Sequence, residues 1–159
     1  MSEILFDEHG NPQPEGIRPI PFKDFKTAFV DDFETSETRP RIFDGYESYV
    51  YDFKTNISPS FQHWMNGSYT TNKENPNDID LVNIVPFSDD LNLKGTALMA
   101  FITKGTSKEN YMVDGYLVPV YPDDDPRAEF TKNQLAYWED FFGSDRNGRT
   151  KTLFELKFI

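Results

Sequence analysis

The sequence predicts an α+β fold, a mixed β-sheet flanked by helices. Apolar residues recur at intervals of three and four in the first third of the chain, which is typical of helices that face a core. The nearly continuous apolar run at 80–85 suits a strand covered on both faces, and the alternation at 152–158 suits a half-buried strand. Since a single core commonly takes about 100–200 residues, the chain is expected to form one domain over residues 1–159.

The first third of the chain predicts an arm followed by two helices. Residues 1–20 are rich in glycine and proline, so this segment is expected to form a loose hairpin or to lie across the body. Each helix is marked by one apolar stripe, and the second begins near Pro40, a residue type tolerated in a first helical turn. The stripes are Phe22, Phe25, Phe29 and Phe33, and then Phe43, Tyr46, Val50 and Phe53.

The rest of the chain predicts four strands and further helices. Strands are expected at 61–65, 80–85, 111–120 and 152–158. Segment 91–104 is expected to be a crossover helix, although its β-branched residues leave a strand open. Leu135, Trp138 and Phe142 predict a helix that ends at Gly143. Asn147-Gly148 predicts a hairpin turn before the last strand, which is expected to bury Phe154, Leu156 and Phe158.

Composition limits the kinds of partner and binding site that the protein can have. Aromatic residues make up 16% of the chain, enough large rings for a substantial core. The net charge of −11 disfavours nucleic acid as a partner, although the sixteen Lys and Arg residues could still cluster on one face. The same charge fits a basic protein or a metal–nucleotide complex better. Because the chain has no Cys, disulfides and thiolate metal sites are excluded.

The sequence predicts neither secretion nor membrane insertion. Its N-terminus lacks the basic and apolar regions of a signal peptide. No apolar run approaches the ~20 residues that span a bilayer. We therefore expect a cytoplasmic protein that does not bind membranes.

Asp78 and Asp80 are the strongest candidates for chemistry. Side chains two residues apart in a strand point to the same face, so both carboxylates can converge on one cation. Mg²⁺ prefers such oxygen ligands and usually keeps substrate phosphates in its shell. Asp114 is the best candidate for a third carboxylate, because it lies within an otherwise apolar strand. A charged side chain is costly to bury there unless a partner or a bound cation compensates it.

Gly67 and Ser68 precede this acidic pair and follow an apolar strand. Glycine allows a phosphate to approach the backbone closely, and the serine hydroxyl and the following N–H groups can donate hydrogen bonds to it. Either pair of residues alone is weak evidence for a site. Their order is more specific: strand, Gly-Ser, nine residues, Asp-x-Asp, strand, and one Asp in the next strand.

The segments 64–68 (WMNGS) and 77–82 (NDIDLV) resemble the signature of the polymerase-β-like nucleotidyltransferase superfamily. The resemblance covers residues 61–120 and implies a nucleotidyltransferase-type core carrying an N-terminal helical extension. The superfamily includes minimal enzymes of bacterial toxin–antitoxin and abortive-infection systems. The flanking segments look like an uncharacterised bacterial or phage branch.

The resemblance implies a role for each of these residues. Gly67 and Ser68 would hold the triphosphate of an NTP, while Asp78, Asp80 and Asp114 would bind Mg²⁺. Many relatives carry Arg-Gly shortly after Gly-Ser, whereas this chain reads YTTNK at 69–73. Lys73 is therefore the candidate for the missing positive charge, with a flexible surface lysine as the alternative.

The remaining polar residues give weaker indications. His63 and His9 form no acid–base or metal pattern, and His63 is expected to pack in its strand beside Trp64. Two basic groups could face a triphosphate, with surface solvation as the alternative for both. They are Arg39 and Arg41, and then Arg146, Arg149 and Lys151.

Two functions follow from the sequence. The first is a Mg²⁺-dependent enzyme that transfers a nucleoside monophosphate from an NTP to a protein or RNA hydroxyl, with Asp114 assisting deprotonation of the acceptor. The second is a binding protein on a nucleotidyltransferase fold, such as an antitoxin or another docking partner. The altered loop after Gly-Ser favours the second, and the intact Asp-x-Asp pair favours the first. An accessory structural protein of a phage or mobile element is a third possibility.

Overall fold

The computed structural model describes residues 3–159. Seven strands and six α-helices follow one another along this part of the chain. In chain order they are β1 Leu5–Phe6, β2 Pro12–Gln13, β3 Gly16–Pro19, α1 Phe22–Lys26, α2 Arg39–Asn56, β4 Phe61–Asn66, β5 Ile79–Pro86, α3 Asp89–Asn92, α4 Gly95–Leu98, α5 Ser107–Tyr111, β6 Val113–Val120, α6 Ala128–Phe142 and β7 Thr152–Phe158. A π-helical turn at Thr27–Asp31 continues α1.

Five of these strands form one mixed sheet in the order β3-β7-β4-β5-β6. Strand β4 is antiparallel to both β5 and β7, whereas the β5–β6 and β3–β7 pairs are parallel. The predicted α+β class, with a mixed sheet flanked by helices, is confirmed. The arm forms a small hairpin from β1 and β2. Because β7 lies between β3 and β4, the C-terminal strand lies inside the sheet and not at its edge.

The two faces of the sheet pack against different helices, since successive side chains point to opposite faces. The stripes of α1 and α2 cover the face that carries Phe61, Met65 and Leu81. The last turns of α6 cover the other face, which carries Trp64, Val82 and Leu153. Phe154 and Leu156 are buried as predicted, and Phe158 is half-buried. Within residues 3–159, no helix combines the length and apolar character needed to cross a bilayer.

Segment 91–104 differs from the prediction of one crossover helix. It forms the short helices α3 and α4 and a 3₁₀ turn at Met99–Phe101. A long helix needs a continuous apolar stripe to pack, and here Leu91 is buried while Leu93 is 83% exposed. The predicted strand at 111–120 also starts later, because Tyr111 ends α5 and Met112 adopts a left-handed conformation with φ 58°.

The predicted hairpin turn at Asn147-Gly148 is also corrected. The Gly148 N–H donates to the Asp145 carbonyl at 3.0 Å, so a turn does form. However, it joins only an isolated bridge between Ser144 and Thr150, and β7 pairs with β3 and β4 instead. A local turn signal does not determine which strand a segment pairs with, because pairing depends on burial of the whole strand.

A buried polar network links α2 to the sheet through His63. The Tyr46 hydroxyl lies 2.8 Å from His63 Nδ1, and His63 Nε2 lies 2.7 Å from Asn83 Oδ1. The Asn83 amide donates to the Tyr49 hydroxyl at 2.6 Å, and that hydroxyl donates to the Phe101 carbonyl at 2.7 Å. His63 thus points away from Trp64, which lies on the α6 face. Burial lowers the pKa of His63 to about 3, so the ring is neutral near pH 7.

We predict that His63 makes the protein less stable as the pH falls from 7 to 5. The pKa of His63 is depressed in the folded state, so the unfolded chain binds the extra proton below about pH 6.5. This linkage removes about 2 kcal/mol of unfolding free energy over that interval. Urea unfolding of wild type and His63→Gln at both pH values measures the difference. His9→Gln is the matched control, since His9 is the other histidine and lies in an exposed turn. Equal pH slopes for wild type and His63→Gln would contradict the prediction.

Candidate functional site

The predicted acidic residues meet at one end of the α6 face. Asn66 pairs with Asp80 between β4 and β5, and Asp80 pairs with Asp114 between β5 and β6. Residues in direct register carry their side chains on the same face of a sheet. Three neighbouring strands therefore place an amide and two carboxyl groups side by side.

Gly67 follows β4 and packs directly on this cluster. Its φ is +79°, a conformation that side-chain-bearing residues rarely adopt, and a Cβ at this position would collide with Asp80 Oδ2. The Gly-Ser pair and the acidic strand are thus in contact, as the sequence motif requires. Ser68 begins a 3₁₀ turn at Ser68–Thr70 and is half-buried.

Asp80 has the most perturbed carboxyl group of the cluster. The pKa of Asp80 is raised to about 7, first by burial and then by the charges of Asp78 and Asp114. A hydrogen bond with Asp114 acts in the same direction, while Lys108 acts against it. An uncompensated carboxylate pair of this kind is typical of sites that receive a cation or a proton.

Asp78 lies just before β5 and forms an ion pair with Lys108, whose Nζ is 3.2 Å from Asp78 Oδ2. Lys108 belongs to α5, the short helix that leads into the strand of Asp114. This lysine was not predicted to lie at the site, because a single exposed lysine in a helical turn carries no distinctive sequence pattern. Lys73 is exposed, and its backbone makes the hydrogen bonds: its carbonyl accepts from Arg39, and its N–H donates to Thr71 Oγ1 at 3.2 Å. The cation that acts on Asp80 from this side is Lys108.

Two buried oxygens at the site have no hydrogen-bond partner among residues 3–159, Asp114 Oδ1 and Asn66 Oδ1. Buried acceptors normally have partners, so each of these oxygens fits a bound cation or a donor from a ligand. Asp80 and Asp114 fit Mg²⁺ as a pair. In the described part of the chain, no group of three His, Asp or Glu residues has the spacing of a metal site. Asp78 would join the pair only by leaving Lys108, and the three-carboxylate site remains a prediction.

Arg39 holds the loop that follows Gly67 and Ser68. Its fully buried guanidinium donates to the carbonyls of Tyr69 at 2.7 Å, Thr71 at 2.9 Å and Lys73 at 2.6 Å. It also donates to the Phe29 carbonyl at 3.0 Å and lies 3.8 Å from the centre of the Phe33 ring. Burial lowers the pKa of Arg39 to about 10, so it remains charged. Arg39 is therefore neither a triphosphate ligand nor a solvated surface residue, and both sequence-based alternatives are wrong.

The C-terminal basic residues divide into two kinds. Arg146 and Arg149 are exposed, and Arg149 forms an ion pair with Asp145 at 3.4 Å. Lys151 is buried, with only 4% of its surface exposed. Its charge interacts with those of Asp80 and Asp145, so it lies near the acidic cluster.

Comparison with protein families gives one result. The family model of DUF6932, described as a family of unknown function, matches residues 4–157. Comparison with curated proteins and with solved structures finds no significant match.

We predict that Arg39→Lys lowers the unfolding free energy by roughly 2–4 kcal/mol, since an ammonium cannot reach all four carbonyls that the planar guanidinium bonds. The change should also increase amide hydrogen exchange in residues 69–73. Arg41→Lys is the matched control, because Arg41 is exposed two residues along the same helix. Thermal unfolding and hydrogen exchange measure both effects. If both substitutions have the same small effect, Arg39 does not hold the loop.

We predict that Asp80→Asn stabilises the protein at pH 8 in the presence of a chelator. Because the pKa of Asp80 is raised in the folded state, the protonated carboxyl is favourable for folding relative to the ionised one. The contribution of the protonated form to the unfolding free energy is complete below about pH 4 and is lost as the pH rises through about 7. The ionised form therefore costs folding energy that Asn avoids, about 1–3 kcal/mol after allowance for partial exposure. The increase in unfolding free energy of Asp80→Asn over the wild type should be absent near pH 4, grow as the pH rises to 7 and stay constant above pH 7. Asp123→Asn, in an exposed turn, serves as the control. A lower melting temperature for Asp80→Asn at pH 8 would contradict the prediction.

Proposed function

The chain belongs to the family of unknown function DUF6932, and we propose that it is a Mg²⁺-dependent nucleotidyltransferase. It would transfer a nucleoside monophosphate from an NTP to a hydroxyl group of a protein or RNA and release pyrophosphate. The observation that carries the proposal is the pairing of Asp80 with Asp114, with the backbone of Gly67 packed on the Asp80 carboxyl. Protein acceptors fit the net charge of −11 better than nucleic acid does.

Each residue has a role that its surroundings support. Gly67 lets the backbone pack directly on the Asp80 carboxyl, and the N–H groups of Ser68 and Tyr69 at the start of the next turn would be the donors to a phosphate. Asp80 and Asp114 would hold Mg²⁺, with Asp78 as the third ligand once released from Lys108. Bound there, Mg²⁺ would neutralise phosphate oxygens and align the attacking and leaving groups. Lys73 remains a candidate only for contacts with the nucleotide at the solvent-exposed edge of the site.

Asp114 is the residue that would accept the proton of the acceptor hydroxyl. Its Oδ1 has no hydrogen-bond partner among residues 3–159, so this acceptor is not satisfied within the described part of the protein. The acceptor oxygen then forms a bond to the α-phosphorus, and the bond from that phosphorus to the bridging oxygen breaks. The electron pair leaves with pyrophosphate, and the proton stays on Asp114.

A binding role is the second candidate, and the Lys108–Asp78 ion pair favours it. Lys108 forms an ion pair with Asp78, one of the predicted metal ligands, beside a loop that Arg39 fixes. This arrangement suits a site that no longer catalyses a reaction. In that case the protein would dock on a partner as an antitoxin does. Both functions fit the cytoplasm, where NTPs are abundant.

We predict that Mg²⁺ and an NTP together raise the melting temperature of the wild type, and that either alone has a smaller effect. Ligand binding to the folded state alone stabilises by mass action, by about 2.7 kcal/mol at one hundred times the dissociation constant. Asp80→Asn and Asp114→Asn should lose the combined effect, whereas Asp123→Asn should keep it. Thermal unfolding with each NTP measures the binding.

Transfer is tested separately with α-labelled NTPs, Mg²⁺ and a cell lysate as the source of acceptor. Label on protein or RNA that depends on Asp80 and Asp114 supports the enzyme. Binding of Mg²⁺ and NTP without transfer supports the docking protein. No binding with any NTP overturns the proposal.

A further inference from the structure

Three aromatic side chains near the C-terminal end of α6 form a continuous surface that is open to solvent. Tyr137 and Phe141 are each 55% exposed, and Trp138 is half-buried. The Tyr137 and Phe141 rings are stacked, with 6.0 Å between their centres and 9° between their planes. The Trp138 ring meets both of them edge-on, at 5.1 Å and 5.8 Å. These three rings form an aromatic platform, and adjoining exposed rings of this size are typical of a binding surface.

The platform adjoins the acidic cluster through Tyr116 of β6. The centre of the Trp138 ring lies 4.6 Å from the centre of the Tyr116 ring. Tyr116 and Asp114 are two residues apart in the same strand, so their side chains point to the same face, about 7 Å apart along the strand. The platform is therefore separated from the carboxyl group of Asp114 by a single side chain.

Helix α6 runs back along β6 towards the acidic end of the sheet. Near the start of the helix, the Thr131 hydroxyl donates to the Pro119 carbonyl at 2.9 Å. Seven residues later Trp138 lies on Tyr116, three residues earlier in the strand. Both steps span about 10 Å, which aligns the helix with the strand in the opposite direction. The next helical turn therefore carries Phe141 about 4.5 Å closer to the acidic residues.

The charges around the platform favour a neutral occupant. Glu139 and Asp140 are exposed in the same two turns of α6, and the chain has a net charge of −11. A second copy of the chain would bring two such acidic surfaces together, which is unfavourable. A nucleobase is flat, aromatic and uncharged, and it arrives attached to phosphates whose Mg²⁺ is attracted by the carboxylates next to the platform.

We propose that the aromatic platform stacks the nucleobase of the nucleotide whose phosphates bind beside Asp80 and Asp114. The proposal rests on the proposed function for the nucleotide, and on the structure for the platform and its position. Aromatic rings stack on every base because each base has a flat face. The platform thus adds affinity for nucleotides as a class, and the acidic cluster and the Gly67-Ser68 turn bind the metal and the phosphates.

The test compares each of the four Mg²⁺-NTPs with Mg²⁺-tripolyphosphate, which has three phosphates and no base, by isothermal titration calorimetry on the full chain. Phe141→Ala and Tyr137→Ala should each weaken binding of at least one NTP about fivefold or more, because each removes a stacking ring. Neither variant should change the affinity for tripolyphosphate. Phe130→Ala is the matched control, since Phe130 is 51% exposed near the start of the same helix, and it should bind every probe as the wild type does.

Tryptophan fluorescence reports on contact between the base and the platform. Trp138 and Trp64 are the two tryptophans of the chain, and Trp64 is 6% exposed with its Nε1 donating to Glu155 at 2.8 Å. The NTP that binds most tightly should quench the fluorescence of the wild type and of Phe130→Ala. The quenching should be absent in Trp138→Phe. Quenching that is the same in Trp138→Phe and in the wild type would count against stacking on the platform.

The inference and the proposed function can fail independently. Unchanged NTP affinity in Phe141→Ala and Tyr137→Ala, together with transfer that depends on Asp80 and Asp114, would overturn the base site and leave the enzyme intact. Platform-dependent NTP binding in a protein that never transfers a nucleotide would support the base site and overturn the enzyme. A wild type that sediments as a dimer, with Phe141→Ala as a monomer, would assign the platform to self-association and overturn the base site. A wild type that binds none of the four NTPs would overturn both.

Discussion

The buried guanidinium of Arg39 determines where the loop after Gly67 can lie. Four backbone carbonyls from two segments, 29 and 69–73, converge on one side chain at the start of α2. A buried charge is tolerated only when its donors are satisfied, and the guanidinium has enough donors to satisfy all four carbonyls. The loop is therefore fixed to the helical layer, and this fixes the direction from which Gly67 approaches Asp80. The rest of the site is assembled against that edge.

The acidic cluster is unfavourable for the fold by itself. Asp80 is flanked by Asp78 and Asp114, and its pKa of about 7 reflects burial together with this repulsion. The buried network around His63 meets β5 at Asn83, on the opposite face of the sheet from Asp80, and its polar groups are bonded within the protein. The contrast separates a structural polar network from a group of residues that needs a ligand. Uncompensated charge is common at functional sites because the ligand supplies the missing partner.

Two lysines flank the cluster in different environments. Lys108 is half-exposed and pairs with Asp78 in a contact worth little in water. Lys151 is buried, and burial lowers the pKa of its ammonium while the charges of Asp145 and Asp80 raise it. The net charge of −11 does not exclude a phosphate ligand, because the charges within a few ångströms of the site dominate.

The sequence by itself determined the class of fold, the strand that carries Asp80 and the association of Gly67 with it. These features follow from short-range periodicity and from steric limits at glycine, which are local properties of the chain. It did not reveal that Arg39 and Lys151 are buried or that Lys108 neutralises Asp78. Positions 39 and 151 read as basic residues that face either a triphosphate or solvent, and position 108 reads as a surface lysine. Their burial and partners depend on how α2, α5 and β7 pack against segments far away in the chain, so only the tertiary structure decided them.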